Sequence, residues 1–149
     1  MNNLAKYNTV FRGRSAATWT NNLITGWTNS STYLYETFIS VSENITSAIN
    51  TTALASAYTN SLSNTIGDIY VMECDLTINS GVAPKALFML NGDALSGAAS
   101  NNAILTSGHN RVEFTTIASY SNIEFVLRTT ASGDAQNYSV SNFSLKKKL

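Results

Sequence analysis

Two carboxylates stand two residues apart, Glu73 and Asp75. On an extended strand their Cα atoms lie about 7 Å apart on one face. That brings two carboxyls into the range glycosidases use, one as acid and one as base or nucleophile. The competing reading of the same pair is the polar outer face of a sheet. The chain has one histidine, His109, so a Ser-His-Asp triad would have to use it. It falls in a Gly-His-Asn sequence with no nucleophile elbow around it, which reads as a surface turn. One histidine and one cysteine, Cys74, rule out a histidine-based metal cluster, a Cys-x-x-Cys site and an intrachain disulfide. There is no glycine-rich phosphate loop. The expectation is a non-enzyme with no catalytic residue, no metal and no cofactor.

Binding chemistry has better raw material. Trp19, Trp27, Tyr33, Tyr35 and Tyr120 are candidates for a sugar-stacking platform, since each ring offers a flat apolar face with a polar rim. The alternative is that they fill a core. Basic residues are segregated: Lys6, Arg12 and Arg14 near one end and Lys146, Lys147 and Lys148 near the other. The body between holds Lys85, Arg111 and Arg128 against all nine acids, a net −6 that the two ends offset. Such ends suit docking on an acidic neighbour, a second copy of the chain among them. Nucleic-acid binding would need bases interleaved with aromatics on one face, and that pattern is missing. No apolar run approaches the roughly 18 to 20 residues that span a bilayer, and residues 1–8 lack a signal-peptide core.

The elements that would position these groups read as strands. From Ile69 to Ile78, Tyr70, Met72, Cys74, Leu76 and Ile78 alternate with Glu73, Asp75 and Thr77, a period of two. This predicts a central strand with one face on the core and Cys74 buried. Further strands are expected at 33–41, 44–50, 53–59, 86–90, 103–106, 111–117, 122–130 and 137–145. Turns are expected at 79–81, at Asn91-Gly92, at 107–110 and at 131–135, with polar loops at 60–68 and 93–102. Ala86–Leu90 is apolar on both faces. In the last strand the phase slips between Val140 and Phe143, as one extra residue near Ser141-Asn142 would cause. At 149 residues the chain is one domain by size. The division expected is an N-terminal arm, 1–21, and a β-domain, 22–149, with a basic C-terminal tail. Eight to ten short antiparallel strands with no amphipathic helix predict an all-β jelly-roll sandwich.

Several stretches, in order, resemble the galactose-binding-like jelly rolls, notably the carbohydrate-binding modules of glycoside hydrolases, which also occur in phage structural proteins. Asn22-Leu23-Ile24 with Trp27 is similar to that family's first strand, and Ile69–Leu76 to its central strand. Gly108–Thr116 is similar to its late strand, and Tyr138–Leu145 to its closing strand. Ser141 stands where the family usually has an acid, which puts any metal role there in doubt. The Asn/Ser/Thr-rich, proline-poor, low-charge composition is similar to that of tailed-phage virion proteins. The resemblance implies a non-enzymatic virion structural protein, a jelly roll located in the phage particle. It would dock on capsid or tail proteins through Lys6, Arg12, Arg14, Lys146, Lys147 and Lys148. The alternative it implies is a carbohydrate-binding module for a cell-surface glycan, with Trp19, Trp27, Tyr33, Tyr35 and Tyr120 as the stacking residues.

Overall fold

The structure is a computed structural model and describes residues 17–51, 53–90 and 102–149. Among them are eleven strands and no helix: β1 (Trp27–Asn29), β2 (Thr37–Val41), β3 (Asn44–Asn50), β4 (Ser56–Thr59), β5 (Leu62–Asn64), β6 (Ile69–Gly81), β7 (Lys85–Met89), β8 (Ala103–Ile104), β9 (Gly108–Thr115), β10 (Tyr120–Arg128) and β11 (Gln136–Lys147). They form two antiparallel sheets packed as a jelly-roll sandwich, the class expected from the alternation. Sheet I runs β1-β4-β10-β7-β8, with β5 also on β10; sheet II runs β2-β3-β11-β6-β9.

The long strand β6 is central in sheet II, between β11 and β9. Its even residues Tyr70, Met72, Cys74 and Leu76 are buried, as the alternation requires. They meet the inward residues of sheet I, Ala86 and Phe88 of β7 and Ile123, Phe125 and Leu127 of β10. Phe125 is the hub. Its ring lies edge-on to Phe88 at 5.3 Å and to Phe114 at 5.5 Å, and 5.7 Å from Phe143. Such offset pairs add stabilisation beyond the burial of area. Leu87, Met89 and Val126 alternate with the inward set and form a second buried cluster with Tyr58. This is why the β7 sequence is apolar on both faces.

Strand β11 carries the expected bulge. Ser141 pairs with Asp75 and Ser144 with Glu73, three steps against two, and Asn142 is the surplus residue with φ of 50°. Asparagine tolerates that left-handed conformation better than most residues. Its insertion turns Phe143 and Leu145 back to the core after Val140.

Several expectations need correction. The turn expected at 79–81 is the end of β6, where Ser80 and Gly81 still pair with Asn137 and Gln136, and the strand expected at 33–41 starts only at Thr37. The loop expected at 60–68 contains β5, which the polar Leu-Ser-Asn sequence hides. The turn expected at 107–110 is the start of β9: Gly108 takes φ of 98° and the chain is extended from there. The Lys-rich end is no free tail. Lys146 and Lys147 belong to β11 because β6 still offers partners there, Val71 and Tyr70. Residues 18–23 run beside them: the Thr20 N–H donates to Lys147 O at 2.9 Å, Leu23 N–H to Leu145 O at 2.8 Å, and Leu149 N–H to Thr18 O at 2.9 Å. The Asn91-Gly92 turn, most of the 93–102 loop and residues 1–16 of the expected arm lie outside the described residues.

Candidate functional site

The outer face of sheet II brings together the chemistry that the sequence offers. The odd residues of β6 point there, and both neighbouring strands place polar side chains beside them. Asp75 is paired across the sheet with His109 of β9 and Ser141 of β11, Glu73 with Arg111 and Ser144, and Thr77 with Ser139. Two acids spaced by two on β6 thus meet two basic residues spaced by two on the antiparallel β9. Opposite charges placed directly across strands attract.

Asp75 is the centre of this face. Asn142 Nδ2 donates to its Oδ2 at 2.8 Å, and His109 Nδ1 lies 2.9 Å from its Oδ1. The Asn142 hydrogen bond, followed by the one with His109, holds the Asp75 carboxyl below the usual carboxylate range. Beside it, Arg111 Nε donates to Glu73 Oε1 at 3.0 Å, and a second guanidinium nitrogen lies 3.6 Å from Glu113 Oε2. All of these side chains remain well exposed; His109 keeps 62% of its side-chain surface. A shallow groove of about 260 Å³ continues from Ser141 toward β3, lined by Asn44, Ile45, Thr46, Ser139 and Val140. Beyond it, exposed Ile39 and Val41 of edge strand β2 form an apolar rim.

This arrangement does not make a glycosidase pair. A general acid needs a carboxyl whose proton is retained by apolar surroundings. Asp75 has the opposite setting, and Glu73 lies against a guanidinium. The two carboxylates are instead fixed hydrogen-bond acceptors in a plane of amides, hydroxyls, an imidazole and a guanidinium. Among the described residues no three His, Cys, Asp or Glu side chains converge as a metal site. The described residues form no helix, and so none long and apolar enough to cross a membrane.

The five aromatic candidates are dispersed. Trp27 is 8% exposed and packs edge-on to Phe143 at 5.0 Å, its Nε1 donating to Glu43 O at 2.8 Å. Tyr35 is 2% exposed and stacks on Phe38 at 6.0 Å. Both are core residues, so neither ring offers the stacking surface expected of it. Tyr33 is half-buried between β1 and β2, its carbonyl accepting from Ser56 N–H. Tyr120 is half-buried against the core at the start of β10. Half-buried Trp19 bridges to Lys148, which places it on the outer face of sheet II with Lys146. Of the basic candidates, Lys147 is tied to Asp68, Nζ to Oδ2 at 2.7 Å, while Lys148 is exposed. Lys6, Arg12 and Arg14 lie outside the described residues. In the sequence His109 is weighed only as a triad histidine and reads as a surface turn, and Asn142 is marked only as part of a bulge. The signal that marks them is the complementarity of Glu-x-Asp with His-x-Arg, together with the phase slip.

No protein-family description matches the chain, and no curated protein matches it. Solved structures do. The N-terminal cellulose-binding domain of Cellulomonas fimi β-1,4-glucanase C superposes with a TM-score of 0.58 at 17% identity, over 83% of this chain and 90% of that one. A CBM4 structure superposes with a TM-score of 0.54 at 18% identity, over 87% and 94%. An arabinose-bound GH51 α-L-arabinofuranosidase gives 0.52 at 14%, with 90% of this chain matching 25% of that much longer one. The chain therefore has a carbohydrate-binding-module-like β-sandwich fold.

Proposed function

We propose that the chain is a non-catalytic carbohydrate-binding module whose glycan lies on the outer face of sheet II. The observation that carries this is the Asp75 carboxylate, exposed yet held from both sides by His109 and Asn142. Polar groups fixed before the ligand arrives lose little freedom on binding, and planar side chains match vicinal hydroxyls. Arg111 and Glu73 extend the same surface, and the groove along Thr46, Ser139 and Ser141 gives the glycan a path across the strands. The fold shared with a cellulose-binding domain and a CBM4 structure supports the reading.

The experiment is affinity electrophoresis on a panel of neutral polysaccharides (hydroxyethyl cellulose, xylan, mixed-linkage β-glucan, mannan). Retardation by at least one, lost in Asp75→Ala, is the expected result. Free migration of the unaltered chain on every member, and on a glycan array, would remove the reading.

A second reading keeps the chain in a phage particle, as a non-enzymatic capsid- or tail-associated subunit anchored through its ends. Its specific support is the pairing of residues 18–23 with 145–149. That pairing sets Lys146 and Lys148 beside residues 18–23, which follow Lys6, Arg12 and Arg14 in the sequence. Light scattering at low and high salt on the unaltered chain and on Lys146→Glu/Lys148→Glu tests it. A salt-sensitive oligomer abolished by charge reversal favours it; a monomer throughout counts against it. The readings are compatible, since a virion subunit can also hold a host glycan.

A further inference from the structure

The geometry points to His109 as the residue that reads the glycan, through Nε2 acting as a hydrogen-bond acceptor, with Asp75 and Asn142 as the positioning pair that fixes this tautomer. This inference rests on the glycan-binding reading above.

The argument starts from the acceptor. An ionised carboxylate accepts hydrogen bonds and cannot donate them. Asp75 Oδ2 already accepts from the Asn142 amide at 2.8 Å, and its Oδ1 faces His109 Nδ1 at 2.9 Å. The proton between Asp75 and His109 therefore belongs to Nδ1. A neutral imidazole has one N–H and one bare nitrogen, so the bare one is Nε2. The ring sits on edge strand β9, largely exposed. The charged groups near it among the described residues are Asp75 and Glu73 from β6 and Arg111 and Glu113 from its own strand. β11 contributes the uncharged Asn142.

Donor and acceptor thereby alternate along β9. His109 offers an acceptor, and Arg111, two residues on and about 7 Å away, offers guanidinium donors. The ligand class this selects is a neutral glycan that gives a hydroxyl proton to His109 while one of its oxygens accepts from Arg111. The bulge is the device behind the tautomer. Without the surplus residue Asn142 at φ 50°, no amide would stand over Asp75 to hold its carboxylate plane.

The test has two parts. Long-range ¹H–¹⁵N NMR of the unaltered chain at pH 7.5 identifies which ring nitrogen carries the proton; Nδ1–H is expected, shifting toward a mixture in Asp75→Asn. Affinity electrophoresis on whichever panel polysaccharide retards the chain then compares His109→Gln with His109→Asn. The Gln carbonyl oxygen reaches the place of Nε2 and the Asn carbonyl falls short. Gln should retain affinity within about threefold and Asn should lose about tenfold, the scale of one good hydrogen bond. An Nε2–H tautomer overturns the inference, as does the expected tautomer with His109→Asn binding unimpaired. Retardation lost in Asp75→Ala but indifferent to His109 sinks the inference and leaves the glycan reading standing. No retardation on any polysaccharide removes both.

Discussion

Asn142 and Asp75 are 67 residues apart in sequence, and a single inserted residue joins them: the β11 bulge tips the Asn142 amide onto the Asp75 carboxylate at 2.8 Å. The same insertion leaves the Phe143 N–H to Asn44 Oδ1, 3.2 Å away, and returns Phe143 to the core. One irregularity serves the site and the packing together.

The two roles can be separated at Asn142. Glycine takes a φ of 50° without strain, so Asn142→Gly relieves the backbone while deleting the amide. Its stability is expected within about 0.5 kcal/mol of the unaltered protein. Polysaccharide affinity should fall as far as in Asp75→Ala. Chemical denaturation alongside affinity electrophoresis checks both; full affinity in the glycine variant would detach Asn142 from the site.

Gly81 sits at the end of β6 with φ of 79°, and a Cβ there would stand 2.1 Å from the carbonyl oxygen of Ala135. Backbone occupies that space, so the alternatives are to move the β10–β11 connection or to break the pairing of Gly81 with Gln136. Gly81→Ala is expected to cost at least about 2 kcal/mol, from backbone strain and overpacking together. Gly67 and Gly133 also have positive φ but nothing within 4 Å, so alanine there should cost less, about 1 kcal/mol. Urea midpoints that rank Gly81→Ala equal to the other two would refute the close-approach argument.

These devices differ in how far the sequence discloses them. The alternation from Ile69 to Ile78 declares β6 because one face is apolar and the other charged. The slip from Val140 to Phe143 declares the bulge for the same reason. β5 is silent, since Leu62-Ser-Asn64 has too few apolar residues to show a period. The Lys run reads as a solvated end; only the partner strand at Val71 and Tyr70 makes it a strand. Tyr35 lies in a segment with aromatic residues on both faces and Trp27 among glycine, threonine and asparagine, and in neither setting can a stacking ring be told from a core ring until the partner sheet is in place. Glu73 and Asp75 are legible as a polar face. Their function depends on which strand is the neighbour, and sequence order does not reveal that β9 follows β6 in space.

The Asp68–Lys147 pair ties the β5–β6 turn to the end of β11. Burial pushes the Asp68 carboxyl up. The Lys147 hydrogen bond and charge, with the Thr65 N–H, outweigh it and hold the carboxyl below its usual range. A carboxyl with a depressed folded-state pKa contributes stability above its unfolded value, about 3.9, and loses it as pH falls through the folded value. Lys147→Met should therefore lower stability by about 1 kcal/mol at pH 7, and the gap should close progressively below about pH 4. Thermal melts across pH 2 to 7 measure it; a gap of constant size down to pH 2 would mean that the lysine acts through packing of its aliphatic stem.

At the opposite end of the sandwich three buried side chains form a directed chain. Tyr138 OH donates to Tyr35 OH at 2.9 Å, Tyr35 OH donates to Gln136 Oε1 at 2.9 Å, and Gln136 Nε2 donates to Ala83 O at 3.1 Å. Burial pushes both phenols above their ordinary range, and the direction of donation is set by Gln136, whose amide nitrogen faces Ala83 O and leaves its oxygen to accept from Tyr35. The middle member bears more than the end. Tyr138→Phe removes one donor and leaves Tyr35 still bonded to Gln136, a loss of about 1 kcal/mol. Tyr35→Phe strands the Tyr138 hydroxyl and the Gln136 carbonyl at once, both sealed from water, and should cost about 2 to 3 kcal/mol. The double variant should cost less than the sum, because the Tyr138 donor orphaned by the first change is removed by the second. Urea denaturation of the three variants supplies the cycle. Additive costs would mean that the hydroxyls find other partners and that the chain of bonds does not act as a unit.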